Sequence, residues 1–470
     1  MLERVPWATV SWMACAMALV ATFLTSPHSV VSLALYYSLF MFCYAAIDGR
    51  AKADVTRASG VFAFYVLGTL ALYWTQYLAY PQYFGFSGGP GVGTGTDDAF
   101  FYSLAAPELP EGFRLRDYYF RSFHTYGVLL RVFSEPLYKL YGEFHPLDLL
   151  FFNTAGLALV PFLVRNTARL ITGDETMAGW AFALSLICPF MMANGLILLR
   201  DGLMATCFIA ATYGLLGNRF VLLGVALFGA AWLRPAQGVM LLGSLWMLSM
   251  FVWVGTQTAK EGGWRPKGMT VAALSVAPVL VALLAYVFVG TALLEKLLAV
   301  KGLFRESFLY DFVRESALSV EGPDTFYAIN QLSLPLRLPL AFAFYFGVPY
   351  VALETFMTSG PLIPRYMLNS IYGVMFIVYA GWFLRGVIRA WDTTNVLVLG
   401  LVVTYCIDLL ILSQASMEAR HKTGLMPLMY IVVAYGARYR QRDAVILGLL
   451  FSFGFGAMVL LYNGYKLWNL

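Results

Sequence analysis

Apolar runs of about 17–25 residues, the length needed to cross a hydrocarbon layer of about 30 Å, recur along this chain between short polar turns. They fall at 5–25, 30–46, 60–79, 147–164, 177–198, 202–216, 220–233, 238–254, 269–293, 367–384, 395–412, 425–437 and 444–462. A further stretch, 336–356, carries Pro339, Pro349 and Glu354 and reads as re-entrant or broken. The pattern predicts an all-α polytopic integral membrane protein with about 13–14 transmembrane helices. It forms one membrane domain over residues 1–470. The first run has no clear small-residue cleavage site, so it reads as a retained span.

Lys and Arg in short loops set the orientation. Arg4, Arg50, Lys52, Arg57, Arg165, Arg169, Arg219, Lys260, Arg265, Lys267, Arg385, Arg389, Arg438, Arg440 and Arg442 sort to one side if 336–356 does not cross completely. That side reads as cytoplasmic, with the N-terminus. Two long loops, 80–146 and 295–337, then lie outside with all four histidines. Neither is long enough to bury a core of its own. Within the first, 123–140 reads as a helix lying in the membrane interface.

Composition agrees with the pattern. The 470 residues are 60% hydrophobic and 12% charged, against about 25% charged in soluble domains. The net charge of +5 is ordinary for such a chain and does not call for nucleic acid. Cys15, Cys43, Cys188, Cys207 and Cys406 lie in apolar stretches without metal or redox spacing and read as small buried hydrophobes.

The candidate chemistry lies at the predicted outer face. Asp97 and Asp98 follow the third span; Arg200-Asp201 and Arg234-Pro235 occupy very short turns; Glu418-Ala419-Arg420-His421-Lys422 precedes a late span; Asp408 lies in the outer part of its helix. Ionisable groups at membrane depth are costly and tend to be used. Carboxylates can serve as general base toward a hydroxyl or hold a divalent metal at Asp97/Asp98. Arginine and lysine suit a phosphate or pyrophosphate leaving group. Each group also has a plain structural use. Asp97-Asp98 can cap a helix, Arg200-Asp201 can close a hairpin as an ion pair, and Arg234 can snorkel to the interface.

Four of these places resemble the GT-C superfamily of lipid-sugar-using membrane glycosyltransferases, in the protein mannosyltransferase and aminoarabinose transferase group. Asp97-Asp98-Ala99-Phe100-Phe101-Tyr102 is similar to the acidic motif of that family's first outer loop. Arg200-Asp201-Gly202-Leu203 and Arg234-Pro235-Ala236-Gln237-Gly238 are similar to its later polar turns. Glu418 to Lys422 with Pro427 resembles its late basic turn. The resemblance implies Asp97 or Asp98 as catalytic base. It implies Arg200, Arg234, Arg420 and Lys422 as ligands of the donor phosphate. Asp201, Tyr102, Arg114, Arg116, His124, Glu418 and His421 would have acceptor or supporting roles.

The function expected on this basis is inverting transfer of a sugar from a polyprenyl-phosphate donor to a glycan or lipid acceptor. The expected place is the periplasmic side of a bacterial inner membrane. Two spans, rather than that family's usual one, precede the span that feeds the acidic loop. The extra span and the outer-face arginines also resemble polymerases of lipid-linked O-antigen or exopolysaccharide repeat units. A lipid-linked sugar flippase or transporter is the third reading. It predicts internal repeats and midspan polar residues; no repeat is visible and, Asp408 apart, the polar residues sit at helix ends.

Overall fold

A computed structural model describes residues 7–47, 52–79, 124–142, 145–258, 333–347, 363–415 and 419–468. Every element among them is helical. In chain order these are α1 (Trp7–Thr25), α2 (Ser29–Ile47), α3 (Lys52–Leu72, running into a π-helical turn Tyr73–Leu78), α4 (His124–Tyr141) and α5 (Pro146–Thr172). Then come α6 (Glu175–Leu186), α7 (Pro189–Gly195), α8 (Asp201–Leu216), α9 (Phe220–Leu233) and α10 (Pro235–Thr258). The rest are α11 (Leu334–Gly347), α12 (Ile363–Asp392), α13 (Val396–Ala415), a 3-10 turn Ala419–Leu425, α14 (Met426–Ala437) and α15 (Arg442–Trp468). Eight helices among the described residues are long and apolar enough to cross a membrane, or nine if the bent pair α6–α7 is one span. The chain is therefore a multi-pass membrane protein.

Burial sorts the helices. α5 is buried on nearly every face, which places it at the centre of the bundle. α1 and α15 instead expose Phe23, Leu24, Phe453, Leu460 and Leu461. Apolar side chains left outward on helices of spanning length suit lipid rather than water.

The two ends of the bundle differ in chemistry. At one end Arg219 donates to the Ala46 and Ile47 carbonyls at 3.1 and 2.8 Å, closing the C-terminus of α2 as a cation should. Arg438 pairs with Asp174 at 3.0 Å, Arg389 donates to the Tyr435 carbonyl at 2.8 Å, and Arg385 donates to that of Tyr439. Arg385 and Arg389 thus share an end with Arg219 and Arg438, as the loop-charge sorting requires. At the other end Tyr73 bonds the His145 ring at 3.1 Å, Trp74 donates to Thr25 at 2.9 Å, and His28 packs on Tyr141. His145 there is a helix cap. Its ring accepts from the Leu147 amide, and Asp148 returns a bond to the His145 amide, satisfying the open N-terminus of α5.

Three sequence expectations are refined. The run 177–198 is two helices bent by 50°; Pro189 lacks an N–H and cannot continue α6, so it starts α7 instead. The stretch at 336–356 contributes α11, whose Phe346 lies among Phe376, Phe383 and Tyr405 inside the bundle. The segment 123–140 does form a helix, α4, which buries Tyr126, Leu130 and Leu137 and exposes Val132 and Leu140. Most of the loop 80–146, the run 269–293 and nearly all of 295–337 lie outside the described residues. All five cysteines are free thiols, Cys188 fully buried and the others partly so.

Candidate functional site: a basic recess between short helices

The site begins with helices that stop short. α8 and α14 have 16 and 12 residues, or about 24 and 18 Å at 1.5 Å per residue. Both reach the basic end, α8 through the turn holding Arg219 and α14 through Arg438. Their opposite ends therefore stop short of a hydrocarbon layer of about 30 Å. α9, with 14 residues, runs up from Arg219 and stops at Arg234. The starts of α8 and α10 thus meet through Arg234 and Asp201, and the charged turns are buried there, recessed from the ends of the longer spans.

Two arginines hold the turns together. Arg234 Nη2 meets Asp201 Oδ1 at 3.0 Å, with both side chains almost fully buried. Arg200 Nη1 donates to the Leu233 carbonyl at 2.9 Å. Each turn therefore supplies the arginine that closes the other. Asp201 also stands in the first turn of α8, where a negative charge suits the helix dipole. The plain use considered for Arg200-Asp201, an ion pair within one turn, takes a longer-range form.

Close packing at the same place depends on glycine. A Cβ on Gly202 would lie 2.7 Å from the Gly195 Cα, and one on Gly238 would lie 2.6 Å from the Ala231 Cα. Both contacts are with backbone. Gly202 lets α8 lie against the end of α7, and Gly238 lets α10 fold back on α9.

The 3-10 turn Ala419–Leu425 packs on α8, where Gly424 faces Phe208 and Met204. It delivers Arg420 and His421 to the recess. Burial, then the guanidiniums of Arg234, Arg420 and Arg200, hold the His421 imidazole well below its usual range. Two of these arginines are joined to the same turns by the Arg234–Asp201 pair and the Arg200–Leu233 bond. Arginines gathered in an apolar bundle suit a phosphate-like anion. Lys422, next in sequence, donates to the Phe346 carbonyl and lies over the Phe346, Tyr372 and Phe376 rings. Its ammonium is thus held in an aromatic pocket.

Other candidates fall elsewhere. Ser244 on α10 donates to Asp408 on α13 at 2.6 Å. Ser244 is nine positions beyond Pro235, about 13 Å along α10, so Asp408 lies deeper than the charged turns rather than level with them. Asp97, Asp98, Tyr102, Arg114, Arg116 and Glu418 lie outside the described residues. His124 starts α4, and its side chain is outside them too. Among the described residues no group of three His, Cys, Asp or Glu side chains could hold a metal ion.

The floor of the recess rests on a residue the sequence reading passed over. Between α7 and α8 the backbone of Leu196–Leu199 is irregular yet fully buried. Such backbone survives at membrane depth only when its polar groups find partners. Asn153 on α5 supplies them, donating to the Ile197 and Leu199 carbonyls at 2.5 and 2.9 Å. Tyr126 on α4 donates to the Asn153 Oδ1 at 2.8 Å. The available signal was an amide in the middle of an apolar run, at Asn153.

Comparison with known protein families, with curated proteins and with solved structures finds no match for this chain.

Proposed function

We propose that this protein is a membrane glycosyltransferase that moves a sugar from a polyprenyl-phosphate donor to a glycan or lipid acceptor. The observation that carries the reading is the buried junction of Arg200 and Arg234, tied through Asp201 and the Leu233 carbonyl, with Arg420 on the adjoining 3-10 turn and α9 beside it exposing Val221, Val225 and Phe228. A phosphate attached to an isoprenoid tail needs this pairing of cations and an apolar surround. In the reaction, the acceptor hydroxyl oxygen attacks the anomeric carbon on the face opposite the phosphate. The sugar–phosphate C–O bond breaks, and its electron pair leaves on the phosphate, which the guanidiniums stabilise. Asp98 or Asp97 takes the acceptor proton. Tyr102, Arg114, Arg116, His124 and Glu418 belong to the acceptor side of this scheme, and Lys422 supports the basic turn from its aromatic pocket. The reading carries 13–14 spans, a cytoplasmic N-terminus and a site facing the periplasm of a bacterial inner membrane.

A second reading, a polymerase of lipid-linked repeat units, is favoured by one feature: the groups gathered in the recess are mostly basic. It uses the arginines and dispenses with the acidic pair. Surface glycans and lipid-linked intermediates distinguish the two when compared in wild-type, deletion and Asp97→Asn/Asp98→Asn cells. Long glycans lacking one sugar in both mutants support the transferase. Single repeat units in the deletion, with normal chains in the aspartate variant, support the polymerase. Movement of a lipid-linked sugar with no glycosidic product would instead point to a transporter.

A further inference from the structure

α4 is the helix into which the first long loop runs, and it touches the floor of the basic recess through one hydroxyl. Tyr126 is fully buried, donates to Asn153 and lies within electrostatic reach of Arg200 and Asp201. Asn153 in turn uses both N–H groups on the carbonyls of Ile197 and Leu199, immediately before Arg200.

The bonding pattern allows one orientation of that amide. An asparagine side chain offers two donors and one acceptor oxygen. Reversed, its oxygen would face two carbonyl oxygens. The two carbonyls therefore set which end of the amide faces Leu196–Leu199, and the Tyr126 hydroxyl, donating to Oδ1, holds the amide in that place. The path of Leu196–Leu199 aims Arg200 at the Leu233 carbonyl and starts α8 with Asp201 in reach of Arg234. A continuous set of bonds runs from α4 to both charged turns.

We infer that Tyr126 and Asn153 are a positioning pair that couples the seating of the first-loop helix to the geometry of the basic recess. On the proposed transferase reading, on which this role in the reaction rests, the pair aligns the donor-phosphate arginines only when α4 is seated on α5. Neither residue needs to touch substrate. A catalytic group misplaced by about 1 Å loses roughly 100-fold in rate, so a clamp of this kind controls activity from outside the chemistry.

The test uses the full chain in lipid nanodiscs as wild type, Tyr126→Phe and Tyr36→Phe. Tyr36 is an equally buried tyrosine on the neighbouring α2, but its hydroxyl has no hydrogen-bond partner among the described residues. It is therefore the control for loss of a buried hydroxyl. Amide hydrogen exchange is read without ligand at 196–201 and at Leu233 and Arg234. Tyr126→Phe is expected to speed exchange at both segments at least tenfold, with Tyr36→Phe unchanged. Unchanged exchange in Tyr126→Phe, or equal change in both variants, overturns the coupling. If Tyr126→Phe does not fold, Asn153→Asp serves. It keeps the shape but replaces the two donors with an acceptor, and must speed exchange at the same two segments. Binding of inorganic pyrophosphate is measured on the same samples. Failure of wild type to bind it counts against the phosphate site alone, whereas the exchange result decides the coupling.

Discussion

The Arg234 guanidinium meets the Asp201 carboxylate at 3.0 Å, with both of α8 and α9 lying between them in the chain. The bond ties the start of α8 to the start of α10, and Arg200 crosses it by reaching the Leu233 carbonyl. A buried charge pair is weak evidence of net stability, but removing one partner is costly, about 3–5 kcal/mol. Asp201→Ala should therefore unfold at clearly lower temperature than wild type, and Asp201→Leu/Arg234→Met should recover most of the loss. Thermal unfolding of the purified chain in detergent checks this. Equal stability of wild type and Asp201→Ala would mean that the pair is not formed.

Gly202 has backbone on the far side of its missing side chain. Gly202→Ala must push α8 away from α7 within one residue of Asp201. Overpacking of this kind costs about 1–3 kcal/mol, and here the shift falls on the recess itself. The expected outcome is a folded but less stable protein that has lost binding of inorganic pyrophosphate, read by titration calorimetry. Full binding in Gly202→Ala would show that the recess is more plastic than this packing allows.

His421 should make stability fall in mild acid. Burial and the three guanidiniums hold its proton affinity down in the folded chain, whereas the unfolded chain titrates near 6.5. The unfolded state therefore binds more protons below that value, and stability drops as pH falls through it. The unfolding temperature should decline from about pH 7 downward in wild type, and this decline should be shallower in His421→Gln. Identical pH profiles would remove His421 from the cluster.

Ser244→Ala separates the recess from the deeper carboxylate. It leaves Asp408 Oδ2 without its donor, at a cost of about 1–3 kcal/mol. Pyrophosphate binding should be unchanged in this variant, because Ser244, which holds Asp408, lies about 13 Å along α10 from the charged turn. Lost binding with retained fold would place Asp408 in the functional site.

Much of the membrane organisation was legible in spacing alone. The runs at 5–25, 30–46 and 395–412 correspond to α1, α2 and α13 because lipid demands length and greasiness and little else. The charged turns were legible as exceptions to that rule. Their partners were not, since nothing local in Arg234-Pro235 says that its guanidinium will reach Asp201 rather than the interface. The bend at Pro189 was hidden because a broken span and a straight one have the same composition. Asn153 was hidden because its role depends on irregular backbone that only the packing of α7 against α8 creates. The acidic pair Asp97-Asp98 remains an expectation from sequence and lies outside the described residues.

The most direct measurement compares binding of a polyprenyl phosphate and of the matching polyprenol, without phosphate, to the full chain in nanodiscs. If the recess holds the donor phosphate, the phosphate-bearing lipid binds wild type at least tenfold more tightly, about 1.4 kcal/mol, and Arg200→Gln with Arg420→Gln abolishes the difference. Equal binding of the two lipids to wild type would contradict a donor-phosphate site.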